Sequence, residues 1–306
     1  MSRKKDVITV GRRRIEVSNL DKVMYPATGF TKGDVIRYYR DIAPVLLAHL
    51  KSRPVTLKRY PDGVEGNFFY EKRCPPHRPD WIKTLRIRRK RDNKEIDYCL
   101  LDDQASLVWA ANLANIELHT SLGRGPNIFK PSYIVFDLDP GPRADVVDCG
   151  WVALKIRDLL TDFGLESLVK TSGSKGLQLY VPLNLKVSYE ETSPFALSVA
   201  QRLEAEYPRR VVSKMSKELR TGRIFIDWSQ NHPTKTTASV YSLRARERPT
   251  VSTPITWDEL EASIVEKDPS SLAFGPDEVL RRVEKSGDLF SDARTIRQTL
   301  PREKTA

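Results

Sequence analysis

Cysteine is scarce: three residues in 306, Cys74, Cys99 and Cys149. Their wide spacing gives no disulfide framework and no paired zinc motif, which fits a reducing compartment. No apolar run approaches the ~18 residues of a membrane-spanning helix. The N-terminal stretch MSRKKDVITVGRRRIEV is basic but holds no apolar core of a signal peptide. None of these features points to a secreted disulfide scaffold or a helical membrane protein, and an intracellular protein is expected. Internal repeats and long Gly/Ser linkers are also absent, and the length suits one large domain or two ordinary ones.

What is present in excess is positive charge. Fifty-one Lys and Arg against 40 Asp and Glu give a net charge of +11. That excess suits a polyanionic partner, most simply nucleic acid. It is concentrated in KTLRIRRKRDNKE (83–95) and RRVVSKMSKELRTGR (209–223).

The coarse pattern is mixed. TKGDVIRYYRDIAPVLLAHL (31–50) reads as a helix capped by Thr31 and divided at Pro44. PVTLKRY (54–60) and NFFYEK (67–72) read as strands, and TLRIRR with EIDYCLL reads as a hairpin tipped near KRDNK. QASLVWAANLA (104–114) reads as a helix and NIELHTS as a strand. DVVDCGWVALKIRDLLTDFG is helical, with Gly164 as its stop. ESLVKTSGSKGLQLYVPL is strand, glycine turn, strand. Ser193–Pro194 reads as the cap and first turn of another helix. GRIFIDWS is a strand, and TWDELEASI and PDEVLRRVEKSG are short helices. The expected class is α+β with antiparallel pairs dominant.

YIVFDLDPG (133–141) carries the chemistry. Side chains alternate along a strand, so Asp137 and Asp139 share a face while Ile134, Phe136 and Leu138 point into a core. Two carboxylates that close repel unless a cation intervenes, and a hard divalent ion such as Mg²⁺ or Mn²⁺ suits oxygen ligands. Asp227 in IFIDWSQN ends a similar strand; a third carboxylate beside the pair would complete a two-metal site for phosphoryl transfer. Two other readings use the same pair. It could be a plain strand end turned by Pro140–Gly141. It could also serve an aspartate-dependent phosphohydrolase of the haloacid-dehalogenase type, although Gly141 stands where that pattern has Thr or Val. In KTSGSKGLQLYVPL, Gly173 and Gly176 bracket Ser174–Lys175 in a turn that can aim N–H groups and a lysine at phosphate. Arg244 and Arg246 alternate onto one strand face. CPPH (74–77) has metal-like spacing, but no second ligand pair accompanies it, so it reads as structural.

Taken together and in this order, FDLDPG, SGSKGLQLYVPL, IFIDWSQN and YSLRARERPTVSTPITWDEL resemble the polymerase domain of bacterial ATP-dependent DNA ligase D. SNLDKVMYPATGFTKGDVIRYY, RPVTLKRYPDGVEGNFFYEKRCPPHRPDW and IELH extend the resemblance over roughly residues 15–295. That family belongs to the archaeo-eukaryotic primase superfamily and serves non-homologous end joining. The resemblance implies a primase-type catalytic core of two facing, mainly antiparallel β-sheets flanked by helices. It implies a single domain over 1–306, with a smaller N-terminal lobe to about 125, a core over about 126–295 and a flexible tail over 296–306.

It also implies an activity: extension of 3′-hydroxyl ends at breaks or gaps from ribo- or deoxyribonucleoside triphosphates with two Mn²⁺ or Mg²⁺ ions. Asp137, Asp139 and Asp227 match the metal-binding carboxylates. His119, Ser172, Lys175, Gln178 and Arg244 match nucleotide ligands. Asn19, Lys22 and Lys32 match a pocket for a 5′-phosphate, Phe68 and Phe69 match aromatics against template bases, and Arg220 matches a residue of a mobile loop near the catalytic centre. The cationic tip around Arg88–Arg91 matches a loop that aligns DNA ends. The implied partners are 5′-phosphorylated, gapped or overhanging DNA, Ku and an ATP-dependent DNA ligase, in a cytoplasmic, nucleoid-associated setting without membrane. At one position the chain departs: Gln178 stands where the family usually has His. An amide donates to a phosphate oxygen without carrying charge, and restoring histidine would add a group able to become cationic below about pH 7. A non-catalytic DNA-end-binding module is the alternative from a different class.

Overall fold

The computed structural model describes residues 5–88 and 93–301. The fold is α+β, with seven α-helices among the described residues. The chain divides into two compact units, neither continuous in sequence. One comprises Met1–Pro126, Thr236–Ser252 and Gly275–Gly287; the other comprises Asn127–Lys235, Thr253–Phe274 and Asp288–Ala306. No helix among the described residues is long and apolar enough to cross a membrane.

The first unit is built on a sheet of strands ordered Thr237–Ala238, Asn115–Thr120, Val55–Arg59, Glu95–Cys99 and Thr84–Arg88, with Phe69–Glu71 paired beside Val55–Arg59. The helix Lys32–Asp41 starts where the sequence suggests. The Thr31 hydroxyl accepts from the Asp34 N–H, and the Asp34 carboxylate accepts from the Thr31 N–H in return. Pro44 lies in the first turn of a separate helix, Ala43–Leu50, where its missing N–H costs nothing. Tyr38, 2% exposed, donates its hydroxyl to the Tyr241 carbonyl at 2.8 Å, which ties the returning segment 236–252 into this core.

The cysteine expectation is corrected here. Cys74 and Cys99 form a disulfide. Their separation of 25 residues says nothing in sequence; tertiary pairing brings them together. Cys99 closes the strand opposite Val55 and Thr84, and the Cys74 N–H donates to the Asp97 carbonyl at 2.7 Å. With Cys74 in this bond, CPPH has no free thiolate to offer a metal. Of the cationic tip, Arg88 ends its strand, and 89–91 lie outside the described residues.

The second unit is a six-stranded sheet ordered Val211–Val212, Ile224–Asp227, Tyr133–Pro140, Leu177–Pro182, Leu168–Thr171 and Pro254–Ile255. Every pair is antiparallel except Val211–Val212 with Ile224–Phe225. Ile134, Phe136 and Leu138 are fully buried, as their alternation requires. The helix Val146–Asp162 packs on this strand, capped by Asp145 and Asp148 in reciprocal bonds. It stops at Gly164, which takes φ +71°. The Gly164 and Leu165 N–H groups return to the Thr161 and Leu160 carbonyls, both at 2.8 Å.

The next helix begins earlier than the sequence suggests. It runs Tyr189–Glu206, capped at Ser188 with Glu191 reciprocating, and Pro194 lies inside it. The Ser-x-x-Glu pair at 188–191 satisfies two backbone donors and outcompetes Ser193. Pro194 then removes one N–H whose partner carbonyl would be that of the exposed Glu190.

Candidate active site and anion-binding residues

In the second unit, strand register lines four polar residues across the sheet. Asp227 is directly opposite Asp137, Asp137 opposite Gln178, and Gln178 opposite Lys170. Directly opposed residues share a face, so the sheet itself gathers Asp137 and Asp227, with Asp139 two residues on. Asp137 and Asp227 are half-buried and Asp139 is exposed at the strand end. Burial, then repulsion from Asp139 and from Asp227, pushes the Asp137 carboxyl up to about 7; a hydrogen bond from Gln178 and the field of Lys170 oppose that rise.

Asp227 is already engaged. One oxygen accepts from the Ser229 N–H at 3.0 Å and the Ser229 hydroxyl at 2.6 Å, the other from Gln230 Nε2 at 2.9 Å. Asn231 then fastens this turn to the aspartate strand: its amide exchanges 2.8 Å bonds with both the N–H and the carbonyl of Val135. Among the described residues no three His, Cys, Asp or Glu side chains are gathered into a ready-made metal cluster. The donor chemistry nevertheless fits a hard divalent cation. The carboxylates offer oxygen alone, and a cation would relieve the mutual repulsion that raises the Asp137 pKa.

Two glycines let the backbone close tightly around this strand. A Cβ on Gly176 would lie 1.8 Å from the Leu138 carbonyl oxygen, and one on Gly141 would lie 1.7 Å from that of Arg220. The turn before Gly176 is organised by Ser172, whose buried hydroxyl accepts from the Ser174 and Gly176 N–H groups, each at 3.2 Å. Lys175 is exposed at its tip. Arg220, in the short 3₁₀ helix Lys217–Arg220, stacks 3.8 Å over the Phe225 ring and donates to the Met215 carbonyl. The Gly141 and Gly222 N–H groups fasten this segment to Pro140–Arg143.

In the first unit, His119 and Arg244 meet on a residue that the sequence reading passed over, Glu117. Its carboxylate, 2% exposed, hydrogen-bonds His119 Nε2 at 2.8 Å, Lys58 Nζ at 3.3 Å, the Tyr60 hydroxyl at 3.3 Å and the Ala245 N–H at 3.1 Å, and pairs as an ion with Arg244, whose Nε lies 3.2 Å away. Burial alone would raise this carboxyl. The His119 hydrogen bond and the charges of Arg244, His119 and Lys58 outweigh it and hold the group well below the usual carboxylate range. Burial pushes His119 down despite Glu117.

Phe68 and Phe69 are 50% and 43% exposed, and Tyr70 beside them is 53% exposed. Phe68 lies 4.3 Å from Lys58 Nζ, Phe69 lies over Arg59, and Tyr70 meets His119 edge-on. Three consecutive exposed aromatics are not core packing. Asn19 takes φ +55° in the turn that leads to Lys22. Lys32 is 5% exposed and donates to the Ser18 carbonyl at 2.6 Å, while Lys22 pairs with Asp62 at 3.1 Å. Burial, then Lys22 and Arg59, lowers Lys32 to about 8, so this is a cationic cluster in which an added anion is favoured.

A family model, LigD, primase-polymerase domain, matches residues 31–290. The chain belongs to that family. It is 41% identical over 290 residues to the multifunctional non-homologous end joining DNA repair protein LigD of Mycobacterium tuberculosis H37Rv, covering 92% of this chain and 37% of that protein. Against the LigD of Mycolicibacterium smegmatis it is 42% identical over 284 residues, 91% of this chain and 36% of that protein. Against the bifunctional LigD of Bacillus subtilis it is 30% identical over 280 residues, with shares of 91% and 44%. The chain thus spans less than half the length of these relatives. The solved polymerase domain from Mycobacterium tuberculosis ligase D in complex with DNA superposes with a TM-score of 0.86 at 40% identity, over 94% of this chain and all of that one.

Within this primase-polymerase domain the carboxylates and the glycine turn were legible from alternation and spacing. Glu117, Gln230 and Lys170 were not singled out. Glu117 had a signal: it shares a strand face with His119 in IELH, and a buried acid there needs cations.

Proposed function

We propose that this chain is a primase-type nucleotidyltransferase that extends 3′-hydroxyl ends at DNA breaks or gaps from nucleoside triphosphates, in non-homologous end joining. The observation that carries the reading is the cross-strand alignment of Asp227 with Asp137, two residues from Asp139, in a chain of this family. Asp137, Asp139 and Asp227 would hold the divalent ions, Mn²⁺ or Mg²⁺. When bound, such ions lower the pKa of the attacking hydroxyl and stabilise the triphosphate and leaving oxygen.

The chain's own residues supply the rest. Lys175, exposed at the tip of the Ser172–Gly176 turn, offers positive charge to phosphate oxygens. On the first unit, Glu117 fixes the guanidinium of Arg244 and the imidazole of His119 for the triphosphate and sugar. Lys22 and Lys32 suit a terminal 5′-phosphate, with the basic balance of +11 favouring the backbone generally. Phe68, Phe69 and the neighbouring Tyr70 offer faces for template bases, each stack contributing about 1–3 kcal/mol. Arg220 would act from the docked 215–223 segment. Ku and an ATP-dependent ligase are the protein partners that the end-joining role implies.

The deciding experiment is primer extension on gapped, 5′-phosphorylated DNA with Mn²⁺ and each class of nucleotide. Extension that is abolished by Asp137→Ala or Asp139→Ala, with DNA binding retained, supports the reading. Full DNA-end binding with no extension under any metal would instead identify a non-catalytic end-binding module.

A further inference from the structure

Lys170 is the least expected residue near the carboxylates. It is 0% exposed, one of the largest fully buried side chains in the protein. Its ammonium donates to Gln178 Oε1 at 2.6 Å and lies 5.6 Å from the Tyr180 ring centroid. Burying a lysine costs several kcal/mol unless the charge is compensated, so its position requires a reason.

The register supplies one. Lys170, Gln178 and Asp137 are successive cross-strand neighbours. A glutamine amide is nearly symmetric in shape but not in function: one end only accepts and the other only donates. Facing Asp137, the two orientations are opposite in sign. The amino end donates to the carboxylate, whereas the oxygen end repels it. A lysine ammonium has donors and no acceptor, so it admits only the amide oxygen. The donor end is then left facing the carboxylate of Asp137, its directly opposed cross-strand neighbour.

We propose that Lys170 is a positioning residue for Asp137: by donating to the oxygen end of the Gln178 amide, it turns the amino end toward the carboxylate that would hold a divalent ion. The inference rests on the reading of Asp137 as a metal ligand. It assigns to a neutral side chain the task of fixing the ligand's orientation, with the cation one strand further away. It also explains the buried lysine, which faces the negative field of Asp137, Asp139 and Asp227 along the same sheet.

The test is Mn²⁺ binding to metal-free protein, followed by calorimetry without DNA or nucleotide, alongside the thermal unfolding midpoint. Lys170→Met is expected to weaken Mn²⁺ binding about tenfold, the scale on which removing an outer partner of a ligand acts. Gln178→Leu should weaken it similarly, and the double variant should be no weaker than Gln178→Leu alone, because one pathway has been cut twice. Wild-type Mn²⁺ affinity in Lys170→Met, or additive losses in the double variant, overturns the proposal. If Lys170→Met shows no cooperative unfolding, Lys170→Gln takes its place: it stays polar but can present either end to Gln178, and it must also lose about tenfold. Asp137→Asn and Asp139→Asn separate the two levels. If neither alters Mn²⁺ binding, the metal-site reading fails; if they abolish it while the Lys170 variants bind as wild type, the positioning role alone fails.

Discussion

Arg244 Nε lies 3.2 Å from the carboxylate of Glu117, an acid that is 2% exposed and also holds His119. An arginine that must bind and release a polyanion gains from a fixed partner, because less side-chain entropy is then lost per bond formed. Glu117→Gln removes the charge and keeps the shape. It should cost about 3–5 kcal/mol, the scale for breaking a buried pair, and raise the KM for nucleotide more than it lowers kcat. The pH sign follows from the depressed Glu117 pKa. The stabilisation is complete above the ordinary glutamate pKa and is lost as pH falls below it. Thermal midpoints should therefore fall more steeply in wild type than in Glu117→Gln on going from pH 6 to pH 3. Parallel curves would show that Glu117 gains nothing from its partners.

Asp137 has the opposite sign. With its pKa raised to about 7, the metal-free folded protein holds a proton that the unfolded chain releases near pH 4. Stability of the metal-free protein should fall as pH rises from 4 to 7. Asp137→Asn has no such dependence and should unfold at a higher temperature than wild type at pH 8, with the gap closing by pH 5. Millimolar Mn²⁺ should raise the midpoint of wild type and leave that of Asp137→Asn nearly unchanged. The same variant should be inactive in extension. A metal-free Asp137→Asn protein no more stable than wild type at pH 8 would remove the repulsion argument.

Lys32, lowered to about 8 by burial, Lys22 and Arg59, discharges just above neutral pH in the free protein. A bound 5′-phosphate would hold it protonated. The preference for 5′-phosphorylated over 5′-hydroxyl DNA should thus shrink between pH 7 and pH 9, and Lys32→Ala should have little preference at either pH. Competition binding with the two ends measures it. A Lys32→Ala protein that discriminates as wild type does would take this residue out of the pocket.

Gly176 allows the turn to lie against the carbonyl of Leu138, between the two aspartates. Gly176→Ala puts a carbon where 1.8 Å is available, so the strand or the turn must shift. Overpacking of this kind costs about 1–3 kcal/mol or more. The larger effect should be on chemistry, because the shift moves Asp137 and Asp139 relative to Asp227. Extension by Gly176→Ala should fall at least tenfold at a temperature where the protein remains folded by circular dichroism.

What the sequence disclosed follows from how information is stored in it. Alternation put Asp137 and Asp139 on one face, and Gly164 and Thr31 ended and began helices where local chemistry demanded. Those are short-range rules, and they held. The Cys74–Cys99 bond, the five contacts of Glu117 and the partnership of Lys170 with Gln178 depend on which strands pair and in what register, and no local spacing encodes that. The start of the helix at Tyr189 was misplaced for a subtler reason: Ser193–Pro194 is a good local cap, but Ser188 with Glu191 is a better one.

Register also changes what is expected of histidine at position 178. A free imidazole there would become cationic below about pH 7 and strengthen its hydrogen bonds to negative oxygen. In this sheet its neighbour is Lys170, whose ammonium needs an acceptor at the distance now filled by Gln178 Oε1, 2.6 Å away. One neutral tautomer satisfies both sides, with an unprotonated nitrogen toward Lys170 and N–H toward Asp137. A second proton would place two cations in contact in a buried site, which burial and like charge both oppose. Gln178→His should therefore show a nearly constant ratio of catalytic efficiency to wild type from pH 6 to pH 8 at fixed free metal. In a Lys170→Met background the opposing charge is gone, and the same comparison should favour histidine increasingly as pH falls. A ratio that rises steeply at low pH with Lys170 intact would mean that the imidazole protonates beside the ammonium and that the lysine does not govern this position.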